Sequence, residues 1–492
     1  MDDAVTRLNA EYILAWDGKQ HIFLQDSTVV WQHGRIIHVG RGWEGHVDEE
    51  LEAPDSLVMP GLIDLDALTD IDHCLLDSWQ DPADSCGYLW SHQYARAPEH
   101  VLSHTERLKM REFALAQLAR HGVTTFMPIA SEVHSEWAES YEDFVGISEV
   151  SRRIGLRGYM GPAYRYSVPV FDHDGKSLLA DNDRGDAGLG DARRFLEYAD
   201  SLNDDLVHGV LLPCRIETQT FESLVATSKL AEEFDVHVRL HCLQSPWEEV
   251  VLNESWGMGV VDALEASGLL ERSLMIPHGH ELGDLRKPEV AGGRDVRRLV
   301  EAGVPIIYCP LTSARYGHLL TSFEAFREAG FTLVLGTDSF PPDLIRGIDV
   351  GVQLSKIAGK SLGQGRVDHF INAATYHAAD ALGRPDLGRI SVGASADLIV
   401  ADLSDFAMGA IEDPIRSLVV NGSGRDIKRT IVAGRTIMED GAVTGVKDME
   451  SLSRDAQAIF DKIKSAYPSR DFLDRSTDEL FPPSFSWAAG RR

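Results

Sequence analysis

Several features that would assign this chain to a secreted, membrane-bound or nucleic-acid-handling class are missing. No apolar stretch reaches the about 20 residues that cross a bilayer. The opening MDDAVTRLNAEYILAWDG carries neither the basic region nor the apolar core of a secretory signal, so a cytoplasmic protein without a membrane partner is expected. Basic residues are scarce: 47 Lys and Arg stand against 77 Asp and Glu, for a formal net charge of -30. That balance argues against a nucleic-acid partner, because phosphate neutralisation needs cationic side chains. It does not establish a cationic substrate, since an acidic surface is accounted for by solubility alone. The five cysteines, Cys74, Cys86, Cys214, Cys242 and Cys309, never form C-x-x-C, so neither a disulfide scaffold nor a thiolate zinc site is expected. Cys214, Cys242 and Cys309 lie at or near the ends of apolar runs and read as core or pocket-lining residues. No G-x-G-x-x-G loop follows the first barrel-type strand, against a dinucleotide fold.

What is present is a long alternation of apolar strands and amphipathic helices between two β-rich ends. Residues 1–60 and 390–445 alternate apolar and polar around Gly and Asp turns, in HIFLQDSTVVWQHGRIIHVG, SADLIVADL, SLVVNG and IKRTIVAGRTIMED. They predict one small discontinuous β-sandwich domain. Residues 61–389 predict a (β/α)8 TIM-type barrel, with strands near 62–66, 123–129, 155–161, 207–213, 236–242, 274–278, 305–309 and 332–336. Helices are expected over TERLKMREFALAQLARHG, ARRFLEYADSL, TFESLVATSKLAEEFD, WGMGVVDALEASGLL, DVRRLVEAG and SFEAFREAG, several ending in the Gly that a left-handed cap requires. Residues 446–492 predict a helix followed by an aromatic, proline-containing tail. The 492 residues are enough for one large and one small domain.

In such a barrel the polar residues at the C-terminal strand ends face the active site. Those ends carry Asp66, Arg165, Arg215, Glu217, His241, His278, His280, Thr312, Ser313 and Asp338. Imidazole and carboxylate are side chains that zinc accepts, and a bound water would be acidified into a nucleophile. Plainer roles compete: His241 as an interior hydrogen-bond donor, Asp338 as the cap of the next helix, His280 as a loop residue, Arg165 and Arg215 as structural ion-pair partners. Arg165, Arg215 and Arg315 offer guanidinium forks for a carboxylate or polar ring substituent. Trp79, Trp90, Tyr164, Tyr166 and Tyr316 are stacking candidates for a planar ring, or loop-packing aromatics.

The ordered segments MPGLIDLD, VRLHCLQ, IPHGH, CPLTSAR and LGTDS, followed by NAATYHAADALGRPDLGRISVGASADLIVADL, resemble the amidohydrolase superfamily over roughly residues 8–440. The branch is that of aminohydrolases and chlorohydrolases of purines, pyrimidines and s-triazines. The resemblance implies that His241 and Asp338 bind a catalytic divalent metal ion, zinc first and otherwise iron, cobalt or manganese. Asp338 also shuttles a proton, and His278 orients water or polarises the substrate. It implies a C–N or C–halogen hydrolysis on a planar nitrogen heterocycle, aromatic amide or carbamate. A homodimer or larger homo-oligomer acting on a small-molecule substrate is the corresponding expectation, with His280, Ser313, Arg315 and Tyr316 beside Arg165 and Arg215 as substrate contacts.

The departures from the family pattern are equally specific. Where H-x-H is expected the chain has Asp66-Ala67-Leu68, and Leu68 cannot ligate. Three residues after His241 the family's Glu is Gln244, whose amide hydrogen-bonds but does not exchange a proton. The strand-seven motif lacks its usual Asn, and the absence of a lysine in PCRIE argues for a mononuclear site. Three readings stay open from sequence. The metal site is rebuilt on Asp66, His241 and Asp338, with His73 or Cys74 swinging in; a metal-free hydrolase or lyase runs on His278, Asp338 and His73; or the chain is a non-catalytic ligand-binding homologue.

Overall fold

The computed structural model describes residues 4–71, 90–96, 101–129, 139–171, 177–320 and 322–488. The terminal segments build one mixed eight-stranded sheet. Its strands are Thr6–Trp16, His21–Gln32, Arg35–Gly40 and Glu49–Pro60 from the start, and Leu398–Asp402, Ile427–Val432, Arg435–Glu439 and Ala442–Val443 from the far end. The join is antiparallel, with Leu398 opposite Pro60 and Asp402 opposite Ser56. Period-two alternation gives each strand two jobs. Ile13, Val29, Trp31, Val58, Leu398 and Ile431 form the β-domain's own core. Their alternates Leu14, Leu57, Met59 and Ile399 join the core that the barrel helices build.

One segment departs from the sequence expectation. SLVVNG lies in a helix, Pro414–Asn421, rather than in a strand. The Asp413 side chain accepts the Arg416 N–H and Pro414 opens the first turn, a start signal that outweighs the β-branched pair behind it. The helix expected across WGMGVVDALEASGLL is likewise divided. Gly257, at φ 68, ends Pro246–Trp256, and Val260–Ala266 begins after it.

The barrel strands follow in the expected order: Leu62–Ala67, Val123–Pro128, Arg157–Met160, Val207–Gly209, Val238–Arg239, Leu274–Pro277, Ile306–Tyr308 and Leu333–Leu335. The first four pair in parallel as one sheet and the last four as another. Parallel bridges Leu211 to Val238 and Arg215 to His241 join the two sheets on one side. On the other the Asp338 N–H donates to the Asp66 carbonyl at 2.8 Å. Ile63, Leu65, Met127, Ile307 and Val334 fill the interior, as inward positions of a barrel must. The helix Met449–Ala466 lies against helix His104–Arg120 through Ile459, Ile463 and Met110, with a Lys109–Asp455 ion pair at 2.6 Å. Among the described residues no helix is long and apolar enough to cross a membrane.

Candidate active site

Two strands set the floor of the barrel mouth. On the fifth, alternation turns Arg239 and His241 inward; on the first, the register slips between Asp64 and Ala67, and Asp66 reaches the same floor above the inward Ile63 and Leu65. Asp66 is fully buried, with Oδ1 3.0 Å from Arg239 Nη1 and Oδ2 3.6 Å from His241 Nε2. Burial alone would raise the Asp66 carboxyl, but Arg239 and then His241 outweigh it and hold it below the usual carboxylate range. Arg239 also donates to the carbonyls of Leu65, Met127 and Pro128 at 3.3, 3.2 and 2.6 Å. Asp64 accepts from the Thr337 N–H and hydroxyl at 3.0 and 2.7 Å; burial nonetheless pushes its carboxyl up to about 7.

His278 and Asp338 complete the floor, with His278 Nε2 3.7 Å from Asp338 Oδ2. Both residues adopt left-handed backbone, φ 67 and φ 40, a conformation seen at functional sites when the surroundings impose it. Burial, then the neighbouring His241, drives the His278 imidazole well below its ordinary pKa and keeps it neutral. Burial, then the charge of Asp66, drives the Asp338 carboxyl up. Cys309 closes the group: its Sγ donates to Asp66 Oδ2 at 3.5 Å, and burial followed by the charges of Asp66 and Asp338 keeps it a thiol. Potential ligand atoms of Asp66, His241 and His278 lie within 4.8 Å of one another, and so do those of His278, Cys309 and Asp338.

A wall rises from this floor in two directions. On one side the rings of His241, His278, His280 and His318 follow one another at centroid spacings of 5.4, 5.5 and 5.3 Å. His280 faces Ser313 Oγ at 3.4 Å, and burial, then His318, lowers its imidazole to about 4. On the other side Arg215 donates to Glu217 Oε1 at 3.0 Å and to Gln244 Oε1 at 2.6 Å. Glu248, the third residue of helix Pro246–Trp256, accepts the N–H groups of Gln244 and Ser245 at 3.1 Å each. Burial, then Glu217, pushes its carboxyl up to about 7.

The amidohydrolase family profile matches residues 57–437, which is most of the chain and takes in every strand of the barrel. The chain belongs to the amidohydrolase family. A 5-methylthioadenosine/S-adenosylhomocysteine deaminase of Pyrococcus abyssi is 24% identical to this amidohydrolase over 444 residues, covering 89% of this chain and 94% of that protein. A zinc-bound adenosine deaminase from Xanthomonas campestris superposes with a TM-score of 0.75 at 19% identity, over 94% of this chain and 99% of that one. A zinc-complexed atrazine chlorohydrolase from Arthrobacter aurescens gives 0.74 at 17% identity, over 92% and 100%. At these identities the two solved structures speak to the fold.

The donor set of this amidohydrolase fits a single divalent ion. Two imidazoles, two carboxylates and a thiol line the floor as two triads that share His278, and among the described residues Asp66 Oδ1, ion-paired with Arg239, accepts no aligned hydrogen bond. Of the residues read from sequence, Asp66, His241, His278 and Asp338 meet on the floor, while Gln244, Arg215, His280 and Ser313 stand in the wall. His73, Cys74 and Trp79 lie outside the described residues. Arg315 Nη1 donates to Ser339 Oγ at 2.6 Å and to the Phe340 carbonyl at 2.5 Å, which ties its side chain to the turn after the last strand. Tyr316 is exposed and Arg165 is buried. Tyr164 is a core residue bonded to Thr227, and Trp90 stacks on Tyr467, so neither is a platform for substrate. Sequence reasoning passes over Arg239, His318 and Glu248. For Arg239 the signal is there, because it stands two positions before His241 and alternation turns both inward. Cys309, at the end of an apolar run and without a C-x-x-C partner, reads from sequence as a core or pocket-lining residue.

Proposed function

We propose that this amidohydrolase hydrolyses a C–N bond of a planar nitrogen heterocycle or an aromatic amide or carbamate, with C–halogen hydrolysis as the related chemistry, at one divalent metal ion. The observation that carries the reading is the pair of donor triads on one buried floor, Asp66 with His241 and His278, and His278 with Cys309 and Asp338. Asp66, His241 and Asp338 would hold the ion, zinc in the first instance. When bound, the ion supplies Lewis acidity: it lowers the pKa of water and polarises the scissile bond. The neutral His278, fixed by its left-handed backbone, orients the water or the substrate. Asp338, whose carboxyl is raised by burial, carries the proton to the leaving group.

Gln244 changes the family's proton relay into a reading device. Because Arg215 can only donate, the Gln244 amide oxygen must face it, and the amide nitrogen is left as a donor without a partner among the described residues. Glu217 Oε2 is buried, has no hydrogen-bond partner among the described residues, and accepts. A donor beside an acceptor suits a substrate edge with a ring nitrogen or carbonyl next to an N–H. The relatives named as deaminases of adenosine derivatives and as a chlorohydrolase of a triazine support this substrate class. The same reading takes the chain as a homo-oligomer, supported by the exposed Phe485 and Trp487 of the C-terminal tail; a single species at monomer mass would overturn that part.

The test is metal content of protein purified without added metal or chelator, followed by a turnover panel of amino- and chloro-substituted purines, pyrimidines and s-triazines. The expected result is about one equivalent of ion per chain and turnover abolished by a chelator. Undiminished turnover after chelation would move the chemistry to His278 and Asp338 alone, and a metal-loaded protein inert to the whole panel would overturn the reading. Gln244→Glu sharpens it: loss of turnover on the best substrate is expected if the amide reads that edge, whereas a large gain in deamination would assign Gln244 no reading role.

A further inference from the structure

The substitution of Leu68 for a family histidine removes one ligand from the site, and Leu68 is buried and apolar. On the far side of the same floor stands a side chain that can restore the count. Cys309 follows strand Ile306–Tyr308 and its Sγ lies 3.5 Å from Asp66 Oδ2, within 4.8 Å of the His278 and Asp338 donor atoms. Gly336 makes this approach possible. A Cβ there would sit 2.5 Å from Asp66 Cβ and 3.0 Å from Cys309 Sγ, so any larger residue would push the two apart.

A buried cysteine is ordinarily a small apolar filler. Cys242, one residue after His241, fits that description, packing in the helix-side core among aliphatic residues. Cys309 instead lies inside the barrel, where the polar atoms around its sulfur are two carboxylates and an imidazole, and among the described residues the sulfur's one hydrogen bond is a long one to Asp66. Asp66 Oδ1 nearby is ion-paired with Arg239 at 3.0 Å but, among the described residues, accepts no aligned hydrogen bond, a second sign that the group is incomplete as protein alone.

We propose that Cys309 is a thiolate ligand of the metal ion, replacing the donor lost at position 68. The proposal rests on the metal-dependent reading above. On binding, the Cys309 S–H bond breaks, the sulfur keeps the electron pair to form the bond to the ion, and the proton leaves to solvent. A mixed sulfur, nitrogen and oxygen set selects zinc, cobalt or iron over magnesium, calcium or manganese.

The experiment is titration of the full metal-stripped chain with cobalt(II), read by absorption. The expected result is one equivalent bound with a sulfur-to-cobalt charge-transfer band in the near ultraviolet, retained by Cys242→Ser. Cys309→Ser should lose the band and bind the ion at least about tenfold more weakly, with near-ultraviolet circular dichroism confirming the native fold. Cys309→Ala, close to Cys309 in volume, is the second variant should the serine fail to fold. Stoichiometric cobalt binding by the unmodified chain without a charge-transfer band overturns the ligand assignment and leaves the metal-dependent reading standing. No cobalt binding at all overturns both.

Discussion

Two arginines are buried in the barrel strands, and each faces a carboxylate, yet their surroundings differ. Arg157, at the foot of the barrel, pairs with Asp397, with Asp205 at 3.1 Å and with Thr125 at 3.3 Å. Asp397 is in turn satisfied by Ser395 Oγ and the Ala433 N–H, both at 2.8 Å, so strand, sheet and loop are locked together. Arg239, near the mouth, reaches Asp66 Oδ1 at 3.0 Å and three carbonyls, but among the described residues its own Nε has no hydrogen-bond partner and Asp66 Oδ1 is met by the ion pair without an aligned hydrogen bond. The foot is electrostatically closed, while the mouth is assembled with donors and acceptors unspent. Buried polar groups without partners are costly, and a fold retains them where a ligand completes them.

The largest effect should come from opening the closed end. Arg157→Met strands Asp397 as a buried, uncompensated charge, a change that costs about 3–5 kcal/mol. Urea unfolding should show that loss. A loss under about 1 kcal/mol would mean that the network at the foot is no tighter than the one at the mouth.

The next tests the excess charge in the wall. The Glu248 carboxyl is raised from 4.5 to about 7 by burial and then by Glu217. A folded pKa above the unfolded one means that its stabilising contribution is complete below pH 4.5 and is lost as pH rises through about 7. That amounts to about 3 kcal/mol across the window. Glu248→Gln keeps an acceptor for the helix cap and should be flatter than the unmodified protein between pH 5 and 8 by roughly this amount. Parallel pH curves for the two proteins would show that Glu248 is ionised throughout and that the wall carries no excess charge.

How far these contrasts can be read without a structure differs by residue. His241, His278 and Asp338 are legible because each ends an apolar run, and strand ends in a barrel converge whatever their separation in sequence. The β-domain is legible through alternation, except where Asp413-Pro414 starts a helix that β-branched residues disguise. The partner of Asp66 is another matter. Arg239 belongs to a different strand 173 residues later, and only barrel closure brings them to 3.0 Å. Cys309 is harder still, because its role depends on what Gly336 omits, and a missing side chain leaves no motif. Arg315 reads from sequence as a guanidinium fork, and the hold of Ser339 and Phe340 on its Nη1 comes from a turn that no motif marks.

The smallest effect is the most diagnostic, because its sign should reverse. At the foot, removing a charge destabilises; at the mouth, Asp338→Asn should stabilise the metal-free protein by about 0.5–2 kcal/mol. Burial and the charge of Asp66 both oppose ionisation of Asp338, and the amide removes that conflict at nearly constant volume. Asn tolerates the left-handed backbone at φ 40 as well as Asp does, and the N–H donated to the Asp66 carbonyl is untouched. The same variant should lose bound ion, so zinc would raise the unfolding midpoint of the unmodified chain but not that of Asp338→Asn. Thermal unfolding of both proteins, in chelator and in zinc, reads the two signs together. A variant less stable than the unmodified chain in chelator would make Asp338 part of a closed network like that of Asp397. A variant more stable in chelator and indifferent to zinc would show that the mouth bears its unpaired charges for an ion.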